Sequence, residues 1–93
     1  MKTDIKLFDI VKSLAGHDFG ELFVVSKIVD EKYCLIIDGK NRTLNAPKLK
    51  KKKHLEIVSS AEKELADLFY DSSKINDAKI RKLLKSEKQK MGD

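Results

Sequence analysis

The stretch GELFVVSKIVDEKYCLIIDGK, residues 20–40, decides the fold class. Its first half, ELFVVSKIV at 21–29, is rich in β-branched residues and alternates with period two. Leu22, Val24, Ser26 and Ile28 fall on one face; Phe23, Val25, Lys27 and Val29 fall on the other. Such alternation suits a strand with one buried and one part-buried face. Asp30, Glu31 and Lys32 make a short connection, and YCLII at 33–37 reads as the next strand. Asp38-Gly39 then signals a hairpin turn, because glycine reaches the φ > 0 region that tight hairpins need.

The pattern extends in both directions. Upstream, DIVKSL at 9–14 is a short β-type run with Ile10 and Val11 on opposite faces, and AGHDFG at 15–20 is a turn bracketed by Gly16 and Gly20. Downstream, NRTL at 41–44 reads as a fourth strand and HLEIV at 54–58 as a fifth. After residue 58 the apolar period changes from two to 3.6. Ser59-Ser60-Ala61-Glu62 has capping-box spacing with Ser59 as N-cap, and Ala61, Leu65, Leu68 and Phe69 share a helical face to about residue 70. A second helix opens at Asn76, with Asp77 in its first turn, Ile75 and Ile80 at staple spacing, and an apolar side of Ile80, Leu83 and Leu84. Lys79, Arg81, Lys82, Lys85 and Lys88 surround that side, and fraying is expected beyond about residue 88. The expectation is a mainly β chain. Residues 1–58 form a small, strongly bent, five-stranded antiparallel barrel, followed in 59–93 by one or two α-helices whose docking the sequence leaves open.

A chain of 93 residues is one domain. No apolar run approaches the roughly 20 residues of a membrane span, and the N-terminal MKTDIKLFDIVKSL does not read as a secretory signal. Cys34 is the single cysteine, with no partner for a disulfide or a metal knuckle. These features suit a reduced, cytoplasmic protein without a metal. The net charge of +5 is unevenly spread. Residues 1–37 carry five lysines against six acids, and residues 56–93 carry eight bases against eight acids. Residues 38–55 carry Lys40, Arg42, Lys48, Lys50, Lys51, Lys52 and Lys53 against Asp38 alone. One eighteen-residue stretch thus holds a charge of +6, and a concentrated field of one sign attracts a polyanion.

Residues 9–55 resemble the KOW domain, an SH3-like barrel found in ribosomal proteins and transcription elongation factors. The resemblance is carried by DIVKSLAGHDFGELFVVSKIV and YCLIIDGKNRTLNAPKLKKKKHL. It is closest in pattern to small bacterial KOW-domain RNA-binding proteins similar to archaeal and eukaryotic large-subunit ribosomal proteins. Those show a Gly-Arg-Asp-Lys-Gly turn, an Asp-Gly-Lys hairpin, an arginine in the next strand, and a Pro-Lys, lysine-rich, His-Leu segment. Here the hairpin is Asp38-Gly39-Lys40, the arginine is Arg42, and the lysine-rich segment runs from Pro47 to Leu55. The turn departs from the pattern, since His17 and Phe19 stand where it has basic residues. Phe19 either stacks on an unpaired base or packs against the barrel.

The resemblance implies an RNA-binding module, and the charge block agrees with it. Lys48, Lys50, Lys51, Lys52 and Lys53 are expected to neutralise phosphates; the plain alternative is a solvated loop. Arg42, with Lys40, offers a planar fork to phosphate or guanine, or else pairs with Asp38 or Glu21. His54 either stacks on a base or ribose or is a satisfied, half-buried strand histidine, and His17 in the turn is open in the same way. Tyr33 and Phe23 suit the core better than a stacking platform, and Phe69 and Tyr70 read as packing residues. No nucleophile motif, glycine-rich phosphate loop or acid–base pair is present, so neither an enzyme nor a cofactor is expected. The leading expectation is a non-catalytic RNA-binding protein of ribosomal or other structured RNA, a monomer when free, with no membrane and no small-molecule substrate. The alternative is an SH3-like protein-interaction module that uses the barrel and the basic C-terminal helix.

Overall fold

The computed structural model describes residues 4–70 and 75–91, the side chains of 67–70 and 91 excepted. Five strands and two helices follow one another: β1 (Asp9–Ser13), β2 (Leu22–Ile28), β3 (Tyr33–Ile37), β4 (Lys48–Lys51), β5 (Leu55–Ser60), α1 (Glu62–Tyr70) and α2 (Asp77–Met91). A 3₁₀ turn, Lys52–His54, joins β4 to β5. All neighbouring strands are antiparallel, in the order β4-β3-β2-β1-β5.

That order forces curvature. Laid flat, β4 and β5 would lie about 19 Å apart, four spacings of about 4.8 Å. The step from Lys51 to Leu55 covers four Cα–Cα links, at most about 15 Å when extended. Coiled as a 3₁₀ turn at about 2 Å per residue it spans far less. The sheet therefore curls until its two edges approach. Register irregularities between Ile10 and Val11 and between Val25 and Lys27 add bend where it is needed. The second one also changes the pattern expected of β2: beyond Ser26, Lys27 falls opposite Leu35 and Ile28 opposite Cys34.

Alternation along the curled strands makes two apolar clusters. Val11, Phe23, Val25, Cys34, Ile36 and Leu55 gather with Ile5 on one face. Ile10, Val24 and Ile37 occupy the other, where Phe8, Ala61, Leu65, Ile80 and Leu84 cover them. Both helices therefore share a core with the sheet. Ala61 is 1 % and Ile80 0 % exposed, so the helical region is docked rather than appended. Ile75 packs against the same cluster, and Lys79 N–H donates to Asn76 Oδ1 at 2.9 Å, so Asn76 caps α2 as the sequence suggests. The helix runs on to Met91, past the expected fraying point. The expected packing of Leu68, Phe69 and Tyr70 lies outside the described residues.

Two expectations fail for identifiable reasons. Residues 41–44 are not a strand; Thr43 makes only an isolated bridge to Ala46. Side chains take the segment's donors instead: Asp38 Oδ1 accepts from the N–H groups of Lys40 and Arg42 at 2.9 and 2.8 Å, and Asp77 Oδ1 accepts from Leu44 N–H at 2.8 Å. With the Arg42 and Leu44 N–H groups taken by Asp38 and Asp77, and the Arg42 carbonyl accepting from Asp38 and Gly39 N–H, the segment closes on itself rather than joining a ladder. The fourth strand lies in the lysine run instead. Nor does Ser59 cap α1. Ser59 and Ser60 extend β5 opposite Ile10 and Asp9, Ser60 Oγ accepts from Glu62 N–H at 3.3 Å, and the buried Ser59 Oγ has no partner. Strand pairing overrode a local capping signal.

Candidate nucleic-acid interface

The lysine run is an edge strand with inverted polarity. Tyr33 pairs with Lys51, Cys34 with Lys50, Leu35 with Leu49, and Ile36 with Lys48. Lys48 and Lys50 therefore project on the face of the buried Ile36 and Cys34, whereas Leu49 points outward and is 56 % exposed. Lys50 is buried to 8 % exposure, which an ammonium tolerates only with strong partners. Asp18 supplies them. Its carboxylate accepts from Lys48 Nζ at 2.8 Å, from Lys50 Nζ at 3.0 Å and from Ser13 Oγ at 2.7 Å, and Lys50 Nζ also donates to the Ala15 carbonyl at 2.9 Å. Burial alone would push the Asp18 carboxyl up. The hydrogen bonds from Lys48, Ser13 and Lys50, with the Lys50 charge, outweigh it and hold the group well below the usual carboxylate range.

This clasp fixes the glycine-bounded turn against β4. Gly16 and Gly20 both sit at φ 86°, allowing the chain to reverse twice within five residues and aim Asp18 inward. His17 and Phe19 point away, and Phe19 is 67 % exposed, so it does not pack against the sheet.

The remaining cations divide into two groups at opposite ends of the β3–β4 pair. Lys51, Lys52 and Lys53 lie beside the β2–β3 turn, where Lys52 N–H donates to the Lys32 carbonyl at 2.8 Å. There Asp30 accepts from the N–H groups of Lys32 and Tyr33, which hold its carboxyl below the usual value with help from the charges of Lys52 and Lys32. His54 is half-buried at the end of this group, and its carbonyl accepts from Leu14 N–H. Lys40 and Arg42 occupy the other end, four β3 residues away, or about 13 Å at strand rise. The sequence reading joined Lys40, Arg42 and residues 48–54 into one edge. The structure separates Lys40 and Arg42 from residues 51–54, turns Lys50 inward between the two groups, and leaves Lys48 in a cleft shared with Lys40, Arg42 and His17.

At the Lys40 end, helix α2 closes on the loop. Gly39 has φ 77°, and a Cβ there would run into the Asp77 carbonyl, so glycine permits the approach. Arg81 donates from Nη1 to the Gly39 carbonyl. Two adjoining clefts open beside this contact, and both are bounded by Glu21, Asp38 and Lys40. One, of about 430 Å³, gathers His17, Arg42 and Lys48 beside Asp18. The other, of about 450 Å³, runs along α2 over Leu22 and Leu84, with Lys12, Arg81, Lys85 and Lys88 at its rim. Ion pairs among the described residues are confined to Asp18 with Lys48 and Lys50, and a long 3.9 Å contact of Lys12 with Glu56. Lys40, Arg42, Lys51, Lys52, Lys53, Lys85 and Lys88 therefore make no ion pair within that set, although Lys52 acts on Asp30 at longer range.

Sequence reading missed Asp18 as an anchor, and missed Arg81, Lys85 and Lys88 as neighbours of Lys40. Their spacing of four and three does put the latter three on one helical face, a usable signal. Asp18 gave none, because its partners lie some thirty residues downstream. Cys34 is fully buried, and burial pushes its thiol up to about 11 against the field of Lys52. No three His, Cys, Asp or Glu side chains converge to hold a metal among the described residues, and no helix there is long and apolar enough to cross a membrane. No family model matches the chain, and no curated protein matches it either.

Proposed function

We propose that the protein is a non-catalytic RNA-binding module, an SH3-like barrel of KOW type that engages ribosomal or other structured RNA from the cytoplasm. The observation that carries this reading is the set of cations left unpaired after Asp18 has taken Lys48 and Lys50. Lys40, Arg42, Lys51, Lys52 and Lys53 all stand free of ion pairs among the described residues, and only Lys52 of the five is even part-buried. Unpaired surface cations held on the turns and edge of a hydrogen-bonded sheet neutralise phosphates and release counterions, giving affinity with little sequence discrimination. The curled sheet and the resemblance over residues 9–55 support the same reading. The alternative is a protein-interaction module that uses the barrel and the basic C-terminal helix; because Ile80 and Leu84 of that helix lie in this chain's own core, its apolar side is less open to a partner, which favours the RNA reading.

The test is co-sedimentation with ribosomal subunits, and binding to structured RNA, across a salt series. Changing Lys51, Lys52 and Lys53 together to alanine should flatten the dependence of log affinity on log salt by about 2 to 3, at about 0.9 per lost duplex phosphate contact. Lys50 is left out because it is part of the Asp18 clasp. A triple variant with unchanged affinity and slope, or a wild-type chain that binds no RNA at low salt, refutes the proposal.

A further inference from the structure

We infer that helix α2 forms one wall of the RNA site, and that the α2 cleft takes an unpaired RNA segment, with Phe19 stacking on one of its bases. This inference rests on the RNA-binding reading above and adds to it where the strand runs and what form the RNA has. The cleft carries five cations against the carboxylates of Glu21 and Asp38; Lys12 has a long contact with Glu56 and Arg81 donates to the Gly39 carbonyl, which leaves Lys40, Lys85 and Lys88 without an ion pair or side-chain hydrogen bond among the described residues. Asp38 is already occupied by the N–H groups of Lys40 and Arg42, so it compensates the rim poorly. The adjoining cleft is close to balanced, with Asp18, Glu21 and Asp38 beside His17, Lys40, Arg42 and Lys48. Of the two clefts, the one along α2 therefore carries the net positive charge, which adds to that of the unpaired Lys51, Lys52 and Lys53 at the far end of β4.

The floor narrows the ligand class. The part-buried Leu22, with the little of Leu84 that the core leaves uncovered, gives it an apolar patch among the cations. A bare anion gains nothing from that floor, and a duplex hides its base faces in its own stack. An unpaired strand offers both phosphates for the rim and sugar and base faces for the floor. Phe19 provides the second element. Its turn neighbours His17 and Asp18 line one cleft and Gly20 lines the other, so the Phe19 backbone lies between them and its ring, 67 % exposed, is free to meet a strand that leaves the cleft. An exposed aromatic on a clasped turn, beside a cationic groove, is a stacking platform that any base can use.

Two exposed substitutions test the geometry with a fluorescent twelve-nucleotide oligouridylate and the full chain. K85A/K88A should weaken binding at least fivefold and flatten the salt dependence by about 1.4, at about 0.7 per single-strand phosphate. F19A should weaken binding by about fivefold to 150-fold and leave the salt dependence unchanged, because stacking releases no counterion. Melting temperatures of both variants should match wild type, since all three side chains are exposed. Wild-type affinity in either variant overturns the inference, as does tighter binding of a twelve-base-pair RNA duplex than of the single strand. Displacement of oligouridylate by polyglutamate of equal charge as readily as by unlabelled oligouridylate also overturns it. If RNA binding is lost in the Lys51, Lys52 and Lys53 triple variant but kept in K85A/K88A, the RNA reading stands and this inference falls. If wild type binds no RNA, both fall.

Discussion

Replacing Asp18 by asparagine keeps the shape of the clasp and removes its charge. Lys50, with a side chain 9 % exposed, and Lys48, at 27 %, would each lose a charge-assisted hydrogen bond of 3.0 and 2.8 Å. Such bonds contribute about 1.5 to 3 kcal/mol apiece. The asparagine carbonyl can still accept from one ammonium, and Lys50 keeps the Ala15 carbonyl. A net loss of about 3 kcal/mol follows, the lower end of what breaking a buried ion pair costs. In a domain of this size that is a fall of about 12 °C or more in Tm. In urea it is a midpoint lowered by about 2 M at a slope of about 1.5 kcal/mol per molar. Acid provides a second reading. The folded state holds the Asp18 carboxyl below its ordinary value of 3.8, so its contribution is complete above that value and fades as pH falls through the folded one. The gap between wild type and D18N should therefore close progressively below about pH 4. Asp9 works in the opposite direction, because burial raises its carboxyl, but it is present in both proteins and drops out of the difference. Urea titrations at pH 7, 5, 4 and 3 supply the measurement. A loss below about 0.5 kcal/mol at pH 7, or a gap that stays constant into acid, refutes the reasoning.

Two further outcomes follow from the fold. Cys34, with its thiol pushed up to about 11, should resist alkylating reagents in the native protein at pH 7.5 and react promptly in urea; rapid native labelling contradicts its burial. G39A should cost about 2 kcal/mol or more, from φ 77° and the collision with the Asp77 carbonyl, and hydrogen exchange should show α2 amides losing protection before those of β2 and β3. Unchanged exchange in α2 would show that the loop and helix are not coupled through this approach.

What the sequence made legible was local. β3 was read to the residue, because YCLII lies between an acidic connection and Asp38-Gly39, and every signal agrees. α2 announced itself through Asn76 and Ile75. The fourth strand was misplaced because its pattern is the reverse of an ordinary half-buried strand. Lysines at 48 and 50 look solvated, and only an aspartate thirty residues earlier makes their inward position affordable. The same distance effect hid the site. Composition measured how much positive charge residues 38–55 carry, but pairing with β3 decides which way each lysine points, and Asp18 meets the two that point inward. Lys85 and Lys88 counted as part of a neutral C-terminal segment, although folding brings them next to Lys40.

The inward lysines of β4 bear on solubility as well as recognition. The outer edge of β4 has no strand partner in the sheet, and such an edge invites the edge of another copy. Leu49, outward and apolar, would strengthen that invitation. Inward-pointing charges are one of the ways in which natural edge strands discourage it, because an added strand must pass over ammonium groups that need hydration or a counter-charge. Asp18 provides the counter-charge within one chain, and a second copy could not extend β4 without confronting Lys48 and Lys50. A single carboxylate in a five-residue turn thereby supplies the counter-charge that lets an edge strand carry two inward lysines.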